Sequence, residues 1–323
     1  MNFSKPGTRY LIAAALFAVA PAGAIAQAYP SKTVRLISPY PPGGGTDATA
    51  RTIATALSDQ LGQQVVVDSR GGANGAIGTE LAAKAAPDGY TLVLGNTATH
   101  AILPNMSQKL GYDAVRDFSP ISVAALSDFV LVVHPSLPVK NTKELIALAK
   151  ARPGQMNYCA GGTGTPSHLA MELFKSLSKI DMQQVGYKGN GPAAIGLMSG
   201  ECAAMIGSGP ALVPHFATGK VRPLGTTGLK RSIGNLPAVA EILPGYEVVQ
   251  WYGILAPANT PKEIIDRLQK EIARAVTSPK VAQVLTNLGL QPSSNTPEEF
   301  RVLIRTEGEK WGKVIKSANI KDE

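Results

Sequence analysis

The sequence has 323 residues, of which 44% are hydrophobic and 17% charged, with a formal net charge of +8 at pH 7. The positive charges are dispersed, without basic runs or interleaved aromatic residues, which excludes the usual pattern of a nucleic-acid-binding protein. We interpret the excess of positive charge as a mild attraction for anions.

The first 28 residues have the pattern of a secretory signal peptide. Lys5 and Arg9 precede an apolar run over residues 11–20, which is too short for a stable membrane anchor. Small residues then offer a cleavage site after Ala26 or after Ala28. We therefore expect residues 1–28 to be removed and the mature protein to be a soluble protein of the periplasm, long enough for one large domain or two ordinary ones.

A glycine-rich loop follows the first predicted strand, residues 34–37. The loop contains Gly43, Gly44 and Gly45, and Thr46 or Asp47 can cap the helix that follows. Unpaired N–H groups at such a helix start, together with the helix dipole, favour a carboxylate or a phosphate. The helix has its apolar face at Ile53, Leu57 and Leu61.

A second glycine loop, residues 161–168, repeats this pattern after a predicted strand at 156–160. Thr165 is a good N-cap and Pro166 suits the first helical position. Leu169, Leu173 and Leu177 are predicted to form the buried face of the helix. Two similar units of strand, glycine loop and helix predict two α/β lobes, with a ligand held between them by helix N-termini.

The remaining elements alternate in the same way, which predicts an α/β fold with mostly parallel sheets. Helix starts are predicted at three capping boxes, which begin at Asn141, Thr260 and Thr296, and at Ser278. Further strands are predicted over 90–94, 129–133, 182–187, 201–206, 221–226 and 248–255, with a short helix over 192–198.

Two other stretches are candidates for the cleft. Asn74 is predicted to open a helix with Ile77 and Leu81 in the core, and this third glycine-rich stretch is either structural or faces the cleft. Residues 96–100 follow the end of a strand, where doubly wound proteins place ligand contacts. Arg51 is expected to face solvent or an acidic neighbour.

The cysteines and histidines leave several alternatives open. Cys159 and Cys202 are either a disulfide or two buried thiols, since the sequence gives no distance between them. The histidines fit no zinc motif, so no metal and no cofactor are expected. His168 is placed near the ligand, and its neighbour Ser167 raises the alternative of an exported serine hydrolase, although no G-x-S-x-G motif is present.

Several motifs resemble the periplasmic receptors of tripartite tricarboxylate transporters, the Bug family, over essentially the whole mature chain. The resemblance implies a two-lobed periplasmic-binding-protein (Venus flytrap) fold, each lobe a mostly parallel sheet flanked by helices. It also implies a monomeric, non-enzymatic receptor that delivers a small organic carboxylate to a membrane permease. The motifs are residues 29–32, 39–47, 85–92, 111–118, 164–169, 187–189, 236–241 and 251–257.

The chain termini and the position of the cleft suggest the lobe boundaries, and the same resemblance implies the ligand-binding residues. Lobe 1 is expected to comprise residues 29–126 and 246–323, and lobe 2 residues 127–245. Gly45, and the stretch Met205-Ile206-Gly207-Ser208 in place of a more usual Phe-Asp pair, depart from the family pattern. A receptor that presents its ligand to a membrane sensor is a further alternative. The binding residues implied are Tyr40, Gly43, Gly44, Thr46, Asp47, Thr97 and Thr99 from lobe 1, and Thr163, Thr165 and His168 from lobe 2.

Overall fold

The computed structural model describes residues 1–2, 29–42, 45–106 and 109–320. Gly43, Gly44 and nearly all of the predicted signal peptide lie outside the described residues. The strands are β1 (Val34–Ser38), β2 (Val65–Ser69), β3 (Thr91–Asn96), β4 (Phe118–Val133), β5 (Asn157–Ala160), β6 (Gln183–Gly186), β7 (Ala204–Ser208), β8 (Arg222–Thr226), β9 (Val249–Pro257) and β10 (Gln291–Pro292). The helices are α1 (Gly45–Leu61), α2 (Ala76–Ala83), α3 (Leu103–Met106), α4 (Thr142–Ala151), α5 (Pro166–Ser178), α6 (Asn190–Met198), α7 (Gly209–Leu212), α8 (Lys262–Thr277), α9 (Pro279–Asn287) and α10 (Pro297–Ser317).

The first lobe is built on β1, which lies between β2 and β3 and runs parallel to both. Val34, Leu36 and Ile37 are fully buried, as expected for a parallel strand covered on both faces. β3 then pairs with β9 in antiparallel register, Asn96 opposite Tyr252, and β9 pairs with β4. The carboxyl ends of β1 and β3 therefore open toward the same edge of the lobe.

The second lobe is joined to the first through β4. Residues 118–128 of this strand pair with β9, whereas residues 129–133 pair with β7 and β8. β5 lies between β6 and β7 and is parallel to both, so antiparallel pairing is found around β4 and β9 and parallel pairing away from them. One strand thus belongs to the sheets of both lobes.

The last helix contacts both lobes. Phe300 of α10 packs in a cluster with Ile37 and Trp251, whereas Trp311 packs in the cluster that contains Tyr158 of β5. The proposed division into residues 29–126 plus 246–323 and residues 127–245 stays a prediction, and α10 provides a connection between the two parts in addition to β4.

Two predicted helix faces are wrong. Ile77 and Leu81 are 55% and 40% exposed, because Gly78 of α2 approaches the backbone so closely that a Cβ there would lie 2.8 Å from the Cα of Pro39. In α5, Leu169 is buried but Leu177 is 38% exposed. Residues four apart on a helix differ in direction by about 40° around its axis. Leu177 follows Leu169 by eight residues, so its direction differs by about 80° and it lies off the buried face.

The predicted caps are confirmed at three helices and wrong at two. Asn141, Thr165 and Thr296 each accept a hydrogen bond from the backbone N–H three residues later. The Thr260 hydroxyl instead donates to the Pro257 carbonyl, and α8 begins at Lys262 without a side-chain cap. α1 begins at Gly45, so Thr46 and Asp47 lie within its first turn and do not precede it.

A disulfide joins Cys159 of β5 to Cys202, which precedes β7. Both residues are almost completely buried, against Val130 and Leu197 of the second lobe. The bond therefore closes a loop across the parallel strands that carry the second glycine loop.

We expect replacement of Cys159 and Cys202 by alanine to lower the free energy of unfolding by about 4 kcal/mol. A cross-link between residues 43 positions apart in the sequence restricts the unfolded chain, and loop entropy gives a stabilisation of this order. Urea denaturation at pH 7 measures the change. Each single variant should lose about as much as the double variant, and an unchanged midpoint in all three would contradict the bond.

Candidate functional site

The first wall of the cleft is formed by the carboxyl ends of β1 and β3 and the first turn of α1. Tyr40 lies after β1, and its hydroxyl donates to the Asn74 carbonyl (3.1 Å) and approaches Asn96 Oδ1 (3.5 Å). Gly75 lies against this tyrosine with a φ of +96°, and a Cβ there would lie 2.7 Å from Thr99 Cγ2. Glycine is required at this position because both the backbone conformation and the space exclude a side chain.

Thr46 is positioned by a tyrosine from the neighbouring strand. The Tyr252 hydroxyl is hydrogen-bonded to the Thr46 side chain and accepts a bond from Gln250 Nε2 (2.7 Å). Burial raises the pKa of both Tyr252 and Tyr40 to about 12. Both phenols are protonated at neutral pH, as tyrosines of ordinary pKa also are, and the Tyr40 proton is donated to the Asn74 carbonyl.

Asp47 fixes the first turn of α1 to the end of β2. Its buried carboxylate accepts hydrogen bonds from Ser69 Oγ (3.0 Å) and Arg51 Nε (2.9 Å). The Arg51 side chain is otherwise exposed, as predicted. This ion pair offsets the negative charge that Asp47 would present to an anionic ligand.

Thr97 and Thr99 are buried behind the end of β3. The Thr97 hydroxyl accepts a hydrogen bond from the backbone N–H of Trp251 (3.2 Å), and the Thr99 hydroxyl accepts one from the backbone N–H of Asn96 (3.1 Å). Thr99 also lies 2.9 Å from Nδ1 of His100. These contacts order the turn that holds Asn96 near Tyr40, and direct ligand contact by the two threonines stays a prediction.

The second wall is the loop between β5 and α5. The Thr165 hydroxyl caps α5 through the His168 N–H (3.4 Å) and donates to the Gly162 carbonyl (2.7 Å). The Gly161 N–H donates to Ser167 Oγ (3.0 Å), and the Gly164 N–H donates to His168 Nδ1 (3.1 Å). The loop is thus held closed by the side chains of its own helix start.

Three amide groups of this loop take no part in these internal bonds. In the part of the chain that the structure describes, the N–H groups of Gly162, Thr163 and Ser167 have no hydrogen-bond partner. They lie at or just before the positive end of α5, a helix of 13 residues. This arrangement can bind an anion through backbone donors.

The geometry contradicts the hydrolase alternative. Ser167 is 1% exposed, and its hydroxyl contacts the Gly161 N–H and Thr165 Oγ1. His168 Nδ1 is occupied by the Gly164 N–H, and its Nε2 lies 3.9 Å from Glu172. The serine and the histidine therefore do not form the hydrogen-bonded pair that a nucleophile and its base require.

His168 and Thr163 lie together at the edge of a cavity of about 480 Å³ in the second lobe. Glu172 and Lys175, which form an ion pair at 2.7 Å, line the same cavity. Burial is the main cause that lowers the pKa of His168, against the opposing effect of Glu172. His168 is therefore neutral at pH 7, with Nδ1 as the acceptor.

The two walls approach each other at Gly164. A Cβ on this glycine would overlap the end of the Met106 side chain, which belongs to α3 of the first lobe. Gly164 has a φ of +72° and is buried. A glycine at this position allows the second loop to contact the first lobe directly.

Three buried polar groups could have been considered as further candidates from the structure. Ser38 Oγ at the end of β1, Trp251 Nε1 of β9 and Asn190 Oδ1 at the start of α6 are buried and have no hydrogen-bond partner among the described residues. Ser38 could have been found as the polar residue that ends an apolar strand. Trp251 and Asn190 have no such local signal, because pairing across sheets and loops places them.

Metal binding has no support in the described ranges. No group of three or more His, Cys, Asp or Glu side chains that could hold a metal ion is found there. The groups that converge on the cleft are amides and hydroxyls, which suit a carboxylate better than a cation.

Comparison with known proteins identifies the family. Residues 49–320 match the model of the tripartite tricarboxylate transporter family receptor. The chain is 36% identical over 300 residues to protein BugT of Bordetella pertussis, with 92% of each chain covered. The match to the family model begins after the first glycine loop. It includes the second glycine loop and residues 127–245, which are predicted to form lobe 2.

Two solved structures are similar over nearly their whole length. A protein of R. palustris, in a structure with adipate, has 35% identity and a TM-score of 0.80, with 91% of this chain and 99% of that chain covered. MatC from Rhodopseudomonas palustris, with bound malate, has 29% identity and a TM-score of 0.75, with 89% and 100% covered. These likenesses confirm the predicted fold and the predicted family.

We expect His100 to make the stability of the protein depend on pH. Its ring is 2% exposed, 4.8 Å from the Phe118 ring, and burial lowers its pKa to about 3. An unfolded histidine binds a proton near pH 6.5, so the stabilisation is complete above pH 6.5 and is lost as the pH falls toward 3. Replacing His100 with glutamine should reduce the slope of unfolding free energy against pH by about 1 kcal/mol per unit between pH 6 and 5.

Urea denaturation at several pH values in that window measures the slope. A slope in the His100 variant equal to that of the wild type would contradict the prediction.

Proposed function

Because the chain belongs to the family of tripartite tricarboxylate transporter receptors, we propose that it captures a small organic carboxylate between its lobes and delivers it to the membrane permease of such a transporter. The observation that carries the proposal is the set of N–H groups at Gly162, Thr163 and Ser167, at the N-terminal end of α5, that have no partner among the described residues. The family is one of solute-binding receptors, not of enzymes.

A carboxylate is the ligand that these donors fit best. Hydrogen bonds from amides to an ionised acceptor are about twice as strong as neutral ones, and the dipoles of α1 and α5 add attraction at both walls. Tyr40 and Thr165 order the two walls, because their hydroxyls donate to the Asn74 and Gly162 carbonyls, and Thr46 is held by the Tyr252 hydroxyl. The adipate and malate in the similar structures are small dicarboxylates, which supports this ligand class.

The proposed site contains the ten residues that the sequence predicts. Asp47 and Thr99 act in it by positioning, through Ser69 and Asn96 respectively, and the loop glycines supply backbone groups. Closure of the lobes would remove water from the cleft and strengthen the amide–carboxylate bonds. The full set is Tyr40, Gly43, Gly44, Thr46, Asp47, Thr97, Thr99, Thr163, Thr165 and His168.

The location and partners follow from the same proposal. Receptors of this family are periplasmic, and we propose that residues 1–28 direct export and are cleaved after Ala26 or Ala28. The mature protein would act as a monomer that meets the permease with its ligand bound. Neither a cofactor nor a nucleic acid has a role in this function.

Thermal unfolding against a panel of carboxylates tests the ligand class. The protein is first unfolded and refolded to remove copurified ligand, with the disulfide kept intact. A ligand at about 100 times its Kd adds about 2.7 kcal/mol to the unfolding free energy, which raises the midpoint by several degrees. If no mono-, di- or tricarboxylate moves the midpoint, the proposed function is wrong.

We expect Thr165→Ala and Asp47→Ala to weaken carboxylate binding about tenfold or more, because each removes a hydrogen bond that orders a helix start at the cleft. Isothermal titration calorimetry measures the affinity. Thr296→Ala is the matched control, since Thr296 is also an N-cap followed by proline, on a helix that starts elsewhere.

The control separates the loss of a helix cap at the cleft from the loss of a helix cap elsewhere in the protein. Thr296→Ala should lower stability by about 1 kcal/mol, as Thr165→Ala does, and should keep the wild-type affinity. Unchanged affinity in both the Thr165 and the Asp47 variants would overturn the assignment of the site.

A further inference from the structure

A large cavity lies between the lobes on the side of β4 and β9, and we call it the hinge-side cavity because these strands join the lobes. Its volume is about 840 Å³, within the range of pockets for whole small-molecule ligands. The first lobe contributes Thr49, Tyr252 and the segment 286–291, and the second contributes the start of α7 and the loop 228–234 after β8. None of the predicted binding residues that the structure describes lines this cavity.

The cavity nevertheless borders the first wall of the proposed carboxylate site. Thr49 follows Thr46 by three residues on α1, so the two lie on neighbouring positions of one helix face. Tyr252 lines the cavity, and its hydroxyl is the partner of Thr46. A ligand whose carboxylate reaches the first turn of α1 can therefore extend directly into this space.

The polar side chains of the cavity wall already have partners. Asp128 accepts hydrogen bonds from Ser232 Oγ (2.5 Å) and Gln291 Nε2 (3.1 Å), which joins the two lobes at the floor. Arg231 forms a two-fold ion pair with Glu241, at 2.9 and 2.8 Å. Only Lys230 adds an exposed cationic side chain whose charge has no partner in the described ranges.

The apolar side chains of the wall, in contrast, remain accessible. Leu229 is 62% exposed and Val213 is 39% exposed, both in the second lobe. Val249 and Leu288 of the first lobe face them and are only partly buried. Accessible apolar groups on both sides of an interlobe cavity are stabilised when an apolar ligand surface covers them.

We infer that the ligand is a carboxylate with a bulky apolar body, aromatic or alicyclic, and that this body occupies the hinge-side cavity. The inference rests on the proposed function, because the carboxylate itself is held by the α1 and α5 helix starts. The cavity wall offers apolar contact along its length and one cation at Lys230. Among ligands of the same charge, affinity should therefore increase with the size of the apolar body.

Titration calorimetry with propanoate, benzoate and 2-naphthoate tests the inference on the refolded, ligand-free protein. The three acids carry one carboxylate each and differ in apolar area. The affinity should rise at least tenfold from propanoate to 2-naphthoate, since binding free energy scales with the apolar area removed from water.

Leu229→Ser removes one apolar contact of the cavity from a side chain too exposed to support the fold. The variant should bind 2-naphthoate about five- to tenfold more weakly and propanoate as the wild type does. Ile195→Ser is the matched control, because Ile195 is 64% exposed on α6 and does not line the cavity. It should leave both affinities unchanged.

The outcomes separate this inference from the proposed function. Equal affinity for all three acids, or an unchanged 2-naphthoate affinity in Leu229→Ser, overturns the inference and leaves a carboxylate receptor. If none of the three acids binds and the wider carboxylate panel also fails, the proposed function fails together with the inference.

Discussion

The structure depends on the continuity of β4, a strand of 16 residues that supplies hydrogen-bonding edges to both lobes. A strand interior cannot leave its backbone groups unpaired, so each half of β4 is committed to neighbours of a different lobe. The change of partner occurs at Asp128 and Phe129, where pairing passes from β9 to β7. β1 and β3 of the first lobe therefore lie on one side of this point in the strand order, and β5 and β6 of the second lobe lie on the other.

The chemistry of the cleft follows from how the two glycine loops end in helices. The loop before α5 uses Thr165, Ser167 and His168 to satisfy some of its own N–H groups, and this fixes the direction of the others. The first wall uses tyrosines in a similar way, since the Tyr40 hydroxyl donates to the Asn74 carbonyl and the Tyr252 hydroxyl is bonded to Thr46. In the proposed site, selectivity for an anion comes from fixed dipoles and hydroxyls, with Arg51 already paired to Asp47.

Much of the fold could be predicted from local patterns in the sequence. Thr296 and Thr165 followed by proline indicated helix starts correctly, and the apolar runs indicated β1 and β5, because caps and short strands are decided by neighbouring residues. The exposure of Ile77 could not be predicted, since the close approach of Gly78 to Pro39 depends on tertiary packing, whereas that of Leu177 follows from the drift of a four-residue repeat around the helix. The hinge-side cavity was missed for the same reason, because its walls come from segments far apart in the sequence.

The path of α10 has a mechanical consequence for the cleft. Phe300 anchors one end of this helix in the first lobe and Trp311 anchors the other in the second, and β4 and the segment before β9 also pass between the lobes. Three crossings of this kind, one of them a helix of 21 residues, hold the lobes together more firmly than a single linker would. Lobes that are already held in place lose less orientational freedom when they bind a ligand, so less of the interaction energy is spent on ordering and more appears as affinity.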